Sequence, residues 1–139
     1  MLIDSLVLGL DLGTTGLRIA IIDSEREILY TSAKSYATGL EIWEDWVFCC
    51  KTLIQEIPKD LKKKLVSCSI AGTSGTLLAC KKNGEPMGKA LPYFLSCTEY
   101  LNEVDNLFLK ECAGSCISGS VARALRLIAL YGNKIILRH

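Results

Sequence analysis

Along the first third of the chain, apolar residues come in short β-branched-rich runs broken by turn formers. Val7 to Leu12, Leu17 to Asp23 and Glu27 to Ser32 read as three consecutive strands in an antiparallel meander. Gly13-Thr14-Thr15-Gly16 and Ser24-Glu25-Arg26 connect them. The period then changes. From Trp43 to Ile57, residues Trp43, Trp46, Val47, Cys50, Leu53, Ile54 and Ile57 recur at helical spacing. Glu44 and Asp45 sit in the first turn, where they suit the helix dipole, and Pro58 stops the helix. The tryptophans are expected to pack between helix and sheet rather than to stack on a base. Lys59 to Lys64 follows as a solvated, charged connector.

Leu65 to Ala71 is apolar or small without alternation, which predicts a strand buried on both faces, central and parallel to the first. A strand arriving after a helix is what a crossover unit requires. Gly72-Thr73-Ser74-Gly75-Thr76 forms a second glycine-rich loop; Leu77 to Cys80 restarts a strand, and Asn83-Gly84 turns it. Pro92 to Gly119 is less regular. A helix from about Ser120 to Tyr131, closed by Gly132-Asn133, is expected to show Val121, Ala124, Leu125 and Ile128 on one face. Ser118 or Ser120 is its expected N-cap. Ile135 to Leu137 starts a further strand.

With 139 residues, half of them hydrophobic, the composition predicts a soluble single domain over residues 1–139. Sixteen basic against fifteen acidic residues give no field that favours nucleic acid or an anionic membrane, so a polyanion must be held by a local site. No apolar run has bilayer length, and Asp4 precedes the first hydrophobic stretch where a signal peptide wants Lys or Arg. The expected home is the cytoplasm. Seven cysteines (49, 50, 68, 80, 97, 112 and 116) contain no C-x-x-C pair, which argues for reduced thiols over zinc or disulfides. Cys49, Cys50, Cys68 and Cys80 are expected to act as small hydrophobes, and Cys112 and Cys116 to lie in a loop.

The chemistry concentrates at the first turn. Glycines at positions 13 and 16 are expected to supply the positive φ of a tight hairpin that presents backbone N–H groups and the Thr14 and Thr15 hydroxyls outward. Such donors make an anion cradle, and Asp11 at its rim is a candidate ligand for a hard cation. Phosphate with magnesium is the natural guest, although the turn is neither a Walker A loop nor a Gly-x-Gly-x-x-Gly turn. Spacing alone leaves open an ordinary hairpin capped by Asp11, with Arg18 as a surface cation.

The stretch from Leu8 to Arg18 resembles the first phosphate motif of the actin, Hsp70 and sugar-kinase superfamily. Ile70 to Leu78, Asn83 to Pro86 and Ala90 to Tyr93 resemble the strand, sugar-facing loop and hairpin of the FGGY carbohydrate kinases, in particular the ribulokinase or xylulokinase type. Glu41 to Trp46 is similar to their acidic, tryptophan-containing helix start. Ser118 to Leu130 is similar to a later serine-rich helix, with Arg126 where a lysine is usual. Departures are Ala71 in place of Asp or Ser, Phe94 and Leu95 in place of an Asn-Asp pair, and Ala129 in place of a tryptophan.

The resemblance implies an α/β, ribonuclease-H-like (actin-like ATPase) N-terminal domain: a mixed sheet of a three-strand meander plus a parallel strand, with packing helices. It implies ATP and Mg2+ as cofactors. Gly13, Thr14, Thr15, Gly16 and Arg18 would hold the nucleotide phosphates, Asp11 would orient the metal, and Thr73, Ser74 and Gly75 would meet a pentulose such as D-ribulose or D-xylulose. The general base is an aspartate expected beyond residue 139, and the adenosine pocket belongs to a second, C-terminal ATPase domain. The chain alone is therefore expected to be inactive and to expose an apolar surface, covered by that missing domain or by a homodimer partner. Two further classes stay open: a catalytically silent sugar-binding or dimerising module, and a piece of another actin-like ATPase.

Overall fold

A computed structural model describes residues 5–107 and 116–138. The chain divides into two compact units, Met1–Gly72 and Thr73–His139.

In the first unit, β1 (Leu6–Leu12), β2 (Gly16–Ile22) and β3 (Ile28–Ser35) form the expected meander. Helices α1 (Trp43–Glu56) and α2 (Lys59–Lys62) lead to β4 (Leu65–Gly72). The sheet order is β3-β2-β1-β4, with β4 parallel to β1 and the other pairs antiparallel. Alternation along β1 and β2 puts Leu6, Leu8, Leu10, Leu17, Ile19 and Ile21 on one face, which joins Cys49, Leu53 and Ile57 in a core. The side chain of Asp23 stabilises the β2–β3 turn by accepting from the amides of Glu25 and Glu27, both at 2.9 Å.

The helix boundaries follow the sequence closely, but the buried stripe does not. Cys49 and Leu53 are buried, whereas Val47 is exposed. The apolar residues of α1 outnumber what one sheet face can cover, so the stripe narrows to positions four apart. Trp46 is half-buried, its indole N–H donating to the Leu40 carbonyl at 2.9 Å, so it packs on the preceding loop instead of the sheet. The charged connector contains a single helical turn, and Lys62 Nζ donates to the Ile54 carbonyl at 3.0 Å near the end of α1.

β4 is parallel to β1 as expected, but it is an edge strand among the described residues. Val66 is 62% and Ile70 70% exposed, and Cys68 is exposed as well. The strand's pattern records what its faces tolerate and not what covers them, and α1 packs against β2 and β3.

In the second unit, β5 (Leu77–Cys80) is the centre of an antiparallel sheet between β6 (Pro86–Leu91) and β7 (Ile136–Arg138). The Asn83-Gly84 turn closes with Lys81 N–H donating to the Glu85 carbonyl at 2.8 Å, and Gly84 takes a φ of +86°. A 3₁₀ turn (Thr98–Tyr100) and α3 (Leu101–Leu107) occupy part of the segment expected to be irregular. Only Val104 of α3 is buried, too little periodicity to read from sequence. Cys112 lies outside the described residues.

Helix α4 (Ser120–Tyr131) has the expected bounds. Its buried residues are Ala122, Arg123 and Leu127, not the face of Val121 and Ile128. Leu127 packs with Leu77 and Ala79, while Ala122 joins Cys97 and Val104. Gly119, rather than a serine, occupies the N-cap position, with no side-chain cap. No helix among the described residues is long and apolar enough to cross a membrane.

Candidate functional site

The turn after β1 is closed by the Gly13 amide donating to the Gly16 carbonyl at 2.9 Å, which leaves Thr14 and Thr15 exposed at the tip. Gly13 N–H is thus spent inside the hairpin and does not face a ligand. Neither glycine has a positive φ. Their role is close approach. A Cβ on Gly16 would meet the Lys34 carbonyl oxygen and lie 2.8 Å from Ser35 Cα; one on Gly13 would lie 3.2 Å from the Gly16 carbonyl. Tyr36 N–H donates to the Thr15 carbonyl at 3.0 Å, clamping the turn to the chain leaving β3.

The two-residue loop fixes the register Leu12↔Leu17, and therefore places Asp11 directly opposite Arg18. Both point to the face that α1 leaves open. Arg18 Nη1 lies 3.7 Å from Asp11 Oδ2, with the side chains 69% and 52% exposed. A pair this exposed adds little to stability and keeps both charges available to solutes. A concavity of about 540 Å³ lies beside them, lined also by Gly9, Ala20, Thr31 and Ala33. Gly9 and Ala20 face each other across the strands, and their small side chains leave that floor open.

Tyr36 was not singled out by the sequence. Its hydroxyl is buried without a hydrogen-bond partner among the described residues. Burial first, then the charges of Cys49, Asp11 and Asp45, push its pKa up to about 12, so the phenol stays neutral.

The donor set suits an anion accompanied by a hard cation. It offers threonine hydroxyls at an exposed tip, a permanent guanidinium charge and one accessible carboxylate. Among the described residues no three His, Cys, Asp or Glu side chains group to hold a metal by themselves. A magnesium ion here would rest on Asp11 through water and on the anion's own oxygens, the usual habit of that ion.

The other candidate residues, Thr73, Ser74 and Gly75, lie in the second unit, in the loop that leads into β5. Thr73 Oγ1 and Thr76 Oγ1 are 2.9 Å apart, and the buried Thr76 hydroxyl accepts from Tyr93 N–H at 3.2 Å. Ser74 stands exposed at the tip. Gly75 has a φ of +82°, and its carbonyl accepts from Arg123 Nε at 2.9 Å. Arg123 is the residue that sequence reasoning missed. The available signal was a cation flanked by alanines, Ala122 and Ala124, on α4. Arg126, noted instead, pairs with Glu99.

No protein-family model matches the sequence. Among solved structures, the chain is similar to Plasmodium falciparum glycerol kinase with ADP at 15% identity and a TM-score of 0.76, covering 97% of this chain and 32% of that one. It is similar to a xylulose kinase from Brucella ovis at 16% identity and a TM-score of 0.72, covering 95% and 32%. A carbohydrate kinase from Novosphingobium aromaticivorans matches at 15% identity and a TM-score of 0.65, covering 94% and 30%. The chain spans about a third of the length of these proteins. At such identities the likeness shows the fold, the mixed α/β architecture that sugar kinases share with actin-like ATPases.

Proposed function

We propose that residues 1–139 are the N-terminal portion of an ATP-dependent carbohydrate kinase of the FGGY type, one that phosphorylates a hydroxyl of a pentulose such as D-ribulose or D-xylulose. The observation that carries this reading is the exposed Asp11–Arg18 pair at the base of the Gly13–Gly16 turn, on a fold that solved sugar kinases share.

Bound ATP with Mg2+ supplies the phosphoryl group and much of the charge neutralisation its transfer needs. The chain's own part is positioning. Gly13 and Gly16 draw the backbone in tightly enough for Thr14 and Thr15 to offer their hydroxyls to phosphate oxygens. Arg18 adds a positive charge in a planar fork that suits phosphate oxygens, and Asp11 orients the hydrated metal. Thr73, Ser74 and Gly75 receive the sugar, Ser74 being the side chain exposed for it. A hydroxyl nucleophile also needs a general base, and the proposal assigns none within residues 1–139.

Purified residues 1–139 with ATP and either pentulose should therefore release no ADP above the blank in a coupled assay. Robust turnover would refute the assignment of the base to other sequence. Sugar binding that is indifferent to magnesium nucleotide would favour the silent sugar-binding module, a reading to which the exposed Tyr93–Phe94 pair lends some support. Peptide binding or filament formation would favour another actin-like ATPase.

A further inference from the structure

We propose that Arg123 is a positioning residue that fixes the Thr73–Thr76 loop in the shape that receives the sugar. The inference rests on the kinase reading of that loop. Arg123 is only 2% exposed, yet among the described residues its hydrogen bonds go to carbonyls. Nε donates to Gly75 at 2.9 Å, and Nη1 lies 2.7 Å from the Tyr93, 3.0 Å from the Leu95 and 2.6 Å from the Ser118 carbonyl oxygen. One guanidinium thereby ties together the loop before β5, the segment after β6 and the approach to α4.

Burying a cation costs free energy unless its donors are satisfied. The planar fork of arginine can serve several carbonyls at once, which an ammonium cannot do in the same geometry. The contact at Gly75 is close: a Cβ there would lie 3.1 Å from Arg123 Nη2, at a φ of +82° that side chains other than glycine's resist. Thr76 pins the loop a second time, through Thr73 and Tyr93. Ser74 is the exposed residue between these anchors, which preorganise the loop. Such preorganisation spares the cost of fixing the loop on binding. Packing of α4 on β5 does not depend on Arg123, because Leu127, Leu77 and Ala79 make that contact. Loss of the guanidinium should therefore loosen the loop and leave the helix in place.

The test uses residues 1–139 as wild type, Arg123→Lys, Arg123→Met and Gly75→Ala, the last disturbing the same contact from the loop's side. Amide hydrogen exchange reads the loop, and NMR titrations with D-xylulose, D-ribulose and magnesium ADP read binding. Arg123→Lys and Gly75→Ala should speed exchange at residues 74–76 by about tenfold and weaken pentulose binding by about tenfold. They should leave α4 protection and magnesium ADP binding unchanged. Arg123→Met should lose more, with lysine giving partial rescue. Wild-type binding with equal affinity in Arg123→Lys and Gly75→Ala overturns the role alone. A wild-type chain that binds neither pentulose overturns the sugar reading of the loop and this role with it.

Discussion

In the kinase to which the proposal assigns this chain, Asp11→Ala lowers turnover by at least about a hundredfold, the size of effect that loss of one charge-organising group at a transfer site has. The fold survives the change. Asp11 is more than half exposed and, among the described residues, pairs with Arg18 at 3.7 Å on the open face of the sheet, so no core contact is lost. The loss should fall mainly on kcat, because an ion-orienting carboxylate acts on charge that develops during transfer. Steady-state kinetics at saturating ATP, beside circular dichroism of the variant, checks both halves. Retained activity removes Asp11 from the mechanism, whatever the rest of the turn does.

Gly16→Ala destabilises the first unit by about 3 kcal/mol, at the upper end of what overpacking costs. The added methyl would meet backbone on the neighbouring strand, the Lys34 carbonyl and Ser35 Cα, and backbone cannot swing aside as a long side chain can. The Gly16↔Ser35 pairing has to open to admit it. Gly84→Ala makes the informative control. Its φ is +86° but nothing lies within 4 Å of its Cβ, so strain alone acts there and the cost is about 1 kcal/mol. Urea unfolding of the two variants separates close approach from backbone conformation. Equal costs would show that the turn does not need glycine for the reason given.

That distinction also marks how far the sequence could be read. A Gly-Thr-Thr-Gly tetrad asks for glycine on either account, and only the position of Lys34 on the neighbouring strand decides between them. The meander was legible because alternation in β1 and β2 reports a sheet covered on one face. The Asp11–Arg18 pairing follows from the same hairpin by counting back two residues from the Gly13–Gly16 turn. The bounds of α1 were legible because Pro58 ends it. Its buried stripe was not, since the apolar residues of α1 span more of its surface than the sheet can cover. β4 shows the complementary limit: Val66 and Ile70 are exposed although their pattern suits burial on both faces. Arg123 was illegible because charge in a helix normally signals solvent. Its carbonyl partners come from segments brought together by β5, β6 and α4, which no local pattern records.

The account turns on whether the Gly13–Gly16 turn takes phosphate. The direct measurement is a ¹⁵N NMR titration of residues 1–139 with magnesium ADP, in wild type and in Asp11→Ala. Shifts concentrated at residues 11–18, and lost when Asp11 is replaced or magnesium is withheld, are the predicted result. Shifts elsewhere with residues 11–18 unmoved would contradict it.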